Sequence, residues 1–141
     1  MKVWQISQFG LNHLQRVDMH PQPLQENEVR VAIRAVSLNY RDYLVVEGSY
    51  NPKQPLPLIP GSDASGQVVE VGGAVTRWQV GDRVCPIFSQ NWISGPPTRE
   101  NMRATLGSPL PGTLQEEGVF DQQGLVRAPE HLDWIQAATL P

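Results

Sequence analysis

A chain of 141 residues with 40% hydrophobic and 18% charged residues is long enough to bury one core and too short for two ordinary domains. Its formal net charge of -3, with 11 scattered Lys and Arg, argues against nucleic acid and anionic membrane surfaces as partners. The single cysteine, Cys85, excludes an internal disulfide, and thirteen Pro with twelve Gly point to a turn-rich β protein rather than a helical bundle.

Taken from the N-terminus, Met1 to Ile6 and Leu14 to Met19 are predicted as two short strands joined by a turn at Gly10-Leu11-Asn12, with Pro21-Gln22-Pro23 stopping any continuation. The opening MKVWQISQFG carries polar residues where a signal peptide needs an apolar run. No segment reaches the roughly 20 apolar residues of a membrane span, and a reducing, cytoplasmic location is the expectation. Val29 to Val36 alternates with period two: Val29, Val31, Ile33 and Ala35 share one face, and Arg30 and Arg34 are expected in water on the other.

Arg41 to Glu47 has a short helical pattern that Gly48 is placed to end, so Asn39 and Tyr40 lie at a strand-to-helix junction. Four prolines between Asn51 and Pro60 exclude a ladder-forming central strand, and an extended surface loop is predicted. Gly66 to Val71 is a strand, Gly72-Gly73 a turn, and Val80 to Val84 a tight turn into a strand at Cys85 to Phe88. Ser89 to Leu114 is irregular, with a short helix predicted from Thr98 to Leu106. Gly118 to Val126 is predicted as one strand-like run, followed by a turn at Ala128-Pro129 and a helix starting near Asp133. The expected architecture is mainly β: a small, strongly bent barrel with short peripheral helices, filling residues 1–141 as one domain.

Two short stretches carry chemistry. Asn39, Tyr40, Arg41 and Asp42 put an amide, a phenol, a guanidinium and a carboxylate at consecutive positions. One reading is a pocket whose donors stabilise negative charge that develops on a substrate oxygen; a phenol keeps its proton at neutral pH and can deliver it. The plainer reading has Asp42 capping the helix and Arg41 paired with it or in water. Gly61-Ser62-Asp63-Ala64-Ser65-Gly66 is neither a phosphate loop nor a nucleophile elbow, since it lacks the Lys-Ser/Thr pair and the G-x-S-x-G spacing. Ser62 is either pocket-lining or ordinary turn chemistry, and Asp63 is expected to orient neighbours, Arg41 among them. Phe88, Trp92 and Gly95-Pro96-Pro97 form an aromatic, rigid patch; Trp92 is either the apolar wall of a substrate pocket or a cover for the core's edge. Cys85 sits in a strand pattern and reads as a small buried hydrophobe. His13, His20 and His131 have no metal-ligand spacing. No G-x-G-x-x-G occurs anywhere.

The order and spacing of SLNYRDYLVVEGSY, PLPLIPGSDASGQVVEVGG and WQVGDRV resemble the catalytic domain of the medium-chain dehydrogenase/reductase superfamily. The resemblance implies a GroES-like bent barrel and an NADP- or NAD-dependent oxidoreductase acting on a small-molecule quinone, enone or carbonyl. In zinc-using members a Cys stands three residues before the Asp and a Gly-His-Glu opens the second motif. Here Asn39 and Ser62 hold those positions, and an amide and a hydroxyl are poor zinc donors. The resemblance thus points to the zinc-free, quinone-oxidoreductase-like branch, with no metal site. It implies catalytic roles for Asn39, Tyr40, Arg41 and Asp42, a substrate pocket at Ser62, Asp63 and Trp92, and cofactor contacts from Asn39, Tyr40 and Thr139. The run Ala137 to Pro141 resembles the lead into a nucleotide-binding domain absent from this sequence. The chain is therefore expected to be truncated, inactive alone, and inclined to self-associate or form a homodimer. Where relatives carry Ala-Glu-Tyr on the closing strand, this chain reads Phe120-Asp121-Gln122-Gln123-Gly124. The alternatives are a stand-alone GroES-like binding or scaffold module and a zinc-dependent alcohol dehydrogenase with unusual ligands.

Overall fold

The structure is a computed structural model that describes all 141 residues. Lys2–Ile6 (β1) and Leu14–Asp18 (β2) form the predicted opening hairpin, paired antiparallel with Ile6 opposite Leu14. A single 3-10 turn at Leu11–His13 lies in the connection, entered through Gly10 at φ 112°.

The second sheet joins Glu28–Ser37 (β3), Asp63–Val71 (β4), Arg83–Pro86 (β5), Glu117–Asp121 (β6) and Leu125–Arg127 (β7) in the order β6-β3-β4-β5-β7, every pairing antiparallel. β6 and β7 therefore lie on opposite edges, yet only Gln122–Gly124 separate them. Laid flat, five strands put their outer members about 19 Å apart at ~4.8 Å per interval. The chain from Asp121 to Leu125 reaches about 14 Å at full extension. The sheet must therefore curl until its edges meet, which is the bent barrel expected from the sequence. Val29, Val31, Val68, Val84, Phe120 and Leu125 fill its interior, joined by Trp78 and Leu106 from the connections.

The run predicted as one strand from Gly118 to Val126 is thus two strands on opposite edges. Its polar middle is what allows the corner. Asp121 accepts the Gln123 N–H at 2.8 Å, and the buried Gln122 carboxamide accepts the Thr76 and Arg77 N–H groups at 3.0 and 3.3 Å. The Gln122 carbonyl receives the indole N–H of Trp78 at 2.8 Å.

Three other expectations are corrected. Arg30 is not in water: its side chain is 12% exposed, with Nε donating to Glu70 at 2.7 Å and Nη2 to the Gln22 carbonyl at 2.8 Å. The alternation holds, with Val29 and Val31 fully buried on the other face, but Glu70, Glu117 and the Gln22 carbonyl gather around the guanidinium and cover it. Arg34 is exposed as predicted.

The proline-rich segment 51–60 is only partly a surface loop: Pro52, Lys53, Pro55 and Pro57 are exposed, whereas Leu58, Ile59 and Pro60 are buried. Its prolines leave Leu58 free to pair, and Leu58 exchanges both backbone hydrogen bonds with Ile6 at 2.9 Å. Residues 98–106 form turns rather than a helix. Thr98 and Asn101 bond each other's backbone N–H through their side chains at 2.8 and 3.2 Å, an arrangement that competes with helical bonding. Leu106 then enters the core, and Gly107 at φ 76° turns the chain away.

Tyr40–Val46 (α1) follows β3 directly, and Gly48 at φ 77° ends it. Trp134–Ala137 (α2) begins at Asp133, whose carboxylate accepts the Gln136 N–H at 2.7 Å while Gln136 Oε1 accepts the Asp133 N–H at 3.1 Å. It docks on the barrel through Ser65 Oγ to the Trp134 carbonyl at 2.5 Å and Arg83, which donates to Leu132 O at 2.6 Å.

Candidate active site

β3 ends at Ser37, which lies opposite Asp63, the first residue of β4. That pairing brings the two chemistry-bearing stretches together across 24 residues of sequence. Asn39 is the N-cap of α1, and Asp42 Oδ2 accepts its backbone N–H at 2.8 Å. The Asn39 carboxamide leaves the helix and donates from Nδ2 to Asp63 Oδ2 at 2.5 Å. The other Asp63 oxygen accepts the Ser62 hydroxyl at 2.6 Å. Asp63 thus orients neighbours as expected, but those neighbours are Asn39 and Ser62, and not Arg41.

Tyr40 is 74% exposed, and its phenol has no partner in the protein. Its ring stacks on Tyr43 with centroids 6.1 Å apart. Arg41 neither pairs with Asp42 nor faces water. It crosses to the 105–108 segment and donates to the carbonyls of Leu106 and Ser108 at 2.9 and 2.8 Å. Its guanidinium lies between the rings of Tyr50 and Phe88, 4.4 and 4.8 Å from their centroids. The geometry makes it a brace for that segment. Asp42 is buried, and its Oδ1 has no partner. Burial pushes its carboxyl above the usual range, against the pull of the Asn39 N–H and the Arg41 charge.

Asn39, Tyr40, Arg41, Ser62, Asp63, Phe88 and Pro141 line one open cleft of about 410 Å³, within the range of small-molecule sites. Five of the sequence-predicted residues of the corner therefore converge, while Asp42 lies behind them. Trp92 does not join them: its indole N–H donates to Gly95 O at 3.0 Å within its own loop, and Phe88 supplies the aromatic wall instead. Thr139 is exposed and donates to Gln136 O at 2.8 Å; Pro141, two residues on, is the one that reaches the cleft. The residues that anchor Arg41, namely Tyr50, Leu106 and Ser108, carry no signal of that role in the sequence.

No group of three or more His, Cys, Asp or Glu side chains is placed to hold a metal ion. At the corner itself, the amide of Asn39 and hydroxyl of Ser62 are both bonded to Asp63, a donor set that does not fit tetrahedral zinc. Cys85 is buried against α2, donates weakly to Ala137 O at 3.4 Å, and has its thiol pKa raised by burial, as a packed side chain rather than a nucleophile does. No helix is long and apolar enough to cross a membrane.

The family described as the alcohol dehydrogenase GroES-like domain matches residues 25–130. A zinc-type alcohol dehydrogenase-like protein of Schizosaccharomyces pombe is 39% identical over 121 residues, covering 86% of this chain and 35% of that protein. A quinone oxidoreductase-like protein 2 homolog of Nematostella vectensis is 35% identical over 114 residues, covering 81% of this chain and 26% of that protein. The solved quinone oxidoreductase from Coxiella burnetii superposes with a TM-score of 0.80 at 29% identity, covering all of this chain and 41% of that one. The chain spans between about a quarter and a third of the length of these two curated relatives.

Proposed function

The chain belongs to the alcohol dehydrogenase GroES-like domain family of the medium-chain dehydrogenase/reductases, and from that premise we propose that it is the substrate-side domain of an NAD(P)H-dependent oxidoreductase that reduces a quinone, enone or carbonyl without zinc. The observation that carries this reading is the single cleft where an unpartnered phenol and an oriented amide stand together. A nicotinamide cofactor, when bound, supplies hydride. The residues of this chain do the rest. Asn39 holds a substrate or cofactor polar group by hydrogen bonding. Tyr40, exposed and free, hands its proton to the reduced substrate. Phe88 gives the cleft an apolar side, and Arg41 keeps Phe88 and the 105–108 segment in place. The absence of zinc chemistry is supported by the donor set at residues 39 and 62.

The test joins this chain to the nucleotide-binding portion of a relative and measures NADPH oxidation with 1,4-benzoquinone and 2-cyclohexen-1-one. Turnover that survives exhaustive chelation and falls at least ~100-fold in Tyr40→Phe is the expected result. Turnover that needs zinc, or that ignores the loss of the phenol, refutes it, and a chimera that folds and binds NADPH but never turns over favours a scaffold role. We also propose that the chain self-associates through the apolar hollow that Val126 and Leu140 line, 47% and 56% exposed; a concentration-independent monomer in light scattering refutes that.

A further inference from the structure

The two ends of the Asn39 carboxamide differ chemically, and the structure ties one of them down. Nδ2 donates to Asp63 Oδ2 at 2.5 Å, and Asp63 Oδ1 is held by the Ser62 hydroxyl at 2.6 Å. Asp63 and Ser62 are 8% and 3% exposed, whereas Asn39 is exposed and lines the cleft. Turning the amide over would set its oxygen against a carboxylate oxygen at the same spacing, two acceptors with no proton between them. The main chain of Asn39 is held independently, by Asp42 Oδ2 on its N–H. Two carboxylates on two elements thus hold one exposed residue, the backbone from α1 and the side chain from β4.

We infer that Asp63 is a positioning residue for Asn39, and that Ser62 positions Asp63 in turn. This rests on the reading of the cleft as the hydride-transfer site. Asp63 sets the nitrogen end of the carboxamide inward, so the exposed Asn39 side chain at the cleft is held in one orientation rather than two. A ligand therefore meets a preorganised amide, with no rotamer search at the moment of binding. Asp63 acts through Asn39, and the acidic residue at the head of β4 is needed for its charge and not for its fit in the turn.

The experiment uses the 141-residue chain labelled with ¹⁵N and reads the side-chain amide of Asn39, assigned by its loss in Asn39→Ala. Asn12, whose side chain is exposed and makes no hydrogen bond, is the internal reference. A charge-assisted bond to Asp63 moves one Asn39 Nδ2 proton downfield and slows its exchange with water at least roughly tenfold relative to Asn12. Asp63→Asn abolishes both effects, Asp63→Glu restores part of them, and the backbone amide spectrum reports whether each variant is folded. Ser62→Ala weakens the protection without removing it. Free-amide values for Asn39 in the wild-type chain overturn the inference with no variant required, and so does an Asp63→Asn chain that keeps the wild-type shift and protection. Neither cofactor nor turnover enters these measurements, so failure of the oxidoreductase reading would register separately.

Discussion

Replacing Arg41 by Met keeps a stem of similar length and removes the guanidinium, which tests whether this residue is a brace rather than part of the chemistry. Two hydrogen bonds from a charged donor, to Leu106 O and Ser108 O, are worth about 1.5–3 kcal/mol each. Stacking between Tyr50 and Phe88 adds ~0.5–1 kcal/mol per ring. Against this gross gain stands the cost of taking the guanidinium out of water, with its Nε buried and unpartnered, so a net loss of about 3 kcal/mol is expected for Arg41→Met. At about 3 °C per kcal/mol for a domain of this size, the melting temperature should fall by roughly 10 °C. Arg41→Lys keeps the charge but not the fork that reaches two carbonyls, and should lose about half as much. Urea unfolding followed by tryptophan fluorescence gives the energies, and backbone amide shifts of residues 105–108 report whether that segment is released. A Met variant within ~0.5 kcal/mol of wild type, with unshifted amides at 105–108, would refute the reasoning.

Gly66→Ala should cost at least ~3 kcal/mol and lower soluble expression, because a Cβ there runs into the Ala32 carbonyl and lies 2.6 Å from Val31 Cγ1; urea unfolding checks it. Cys85 should react with a thiol reagent on the order of 100-fold more slowly in the native chain than in urea, because burial both shields it and raises its pKa; equal rates would show that α2 does not cover it. For Asp42 the folded carboxyl titrates above its unfolded value, so folding takes up a proton between the two. Its contribution to stability therefore falls as pH rises through that window, upward from ~3.9. Asp42→Asn removes this dependence, and its stability relative to wild type should improve between pH 3 and pH 7; a flat or opposite difference in urea midpoints would contradict the burial argument.

How much of this was legible in the sequence depends on the range of the contact. The β3 strand showed itself through the alternation of Val29, Val31, Ile33 and Ala35, a property of neighbours in the chain. The cover over Arg30 did not, because Glu70, Glu117 and the Gln22 carbonyl reach it from other parts of the chain. Four prolines between 51 and 60 correctly excluded a central strand but not burial, since Leu58 pairs with Ile6 from a loop. Asn39 and Asp63 were each singled out by motif resemblance, yet their bond follows from the Ser37 to Asp63 register, which no local pattern encodes. Trp92 and Phe88 belong to one aromatic patch in the sequence, and only long-range contacts separate them: Phe88 meets the Arg41 guanidinium and lines the cleft, while Trp92 is held in its own loop by Gly95 O.

The corner at Gln122–Gly124, which brings the two rims of the sheet together, also dictates when the fold can form on a ribosome. β3 leaves the exit tunnel early but has no partner on one side until Glu117–Asp121 follows, and β5 waits for Leu125–Arg127. A nascent chain therefore carries Val29, Val31, Val68 and Val84 incompletely sheltered until β6 and β7 have been made. Only when residues 117–127 emerge can the sheet close over them, which makes the interval before that moment the one in which a chaperone has something to hold.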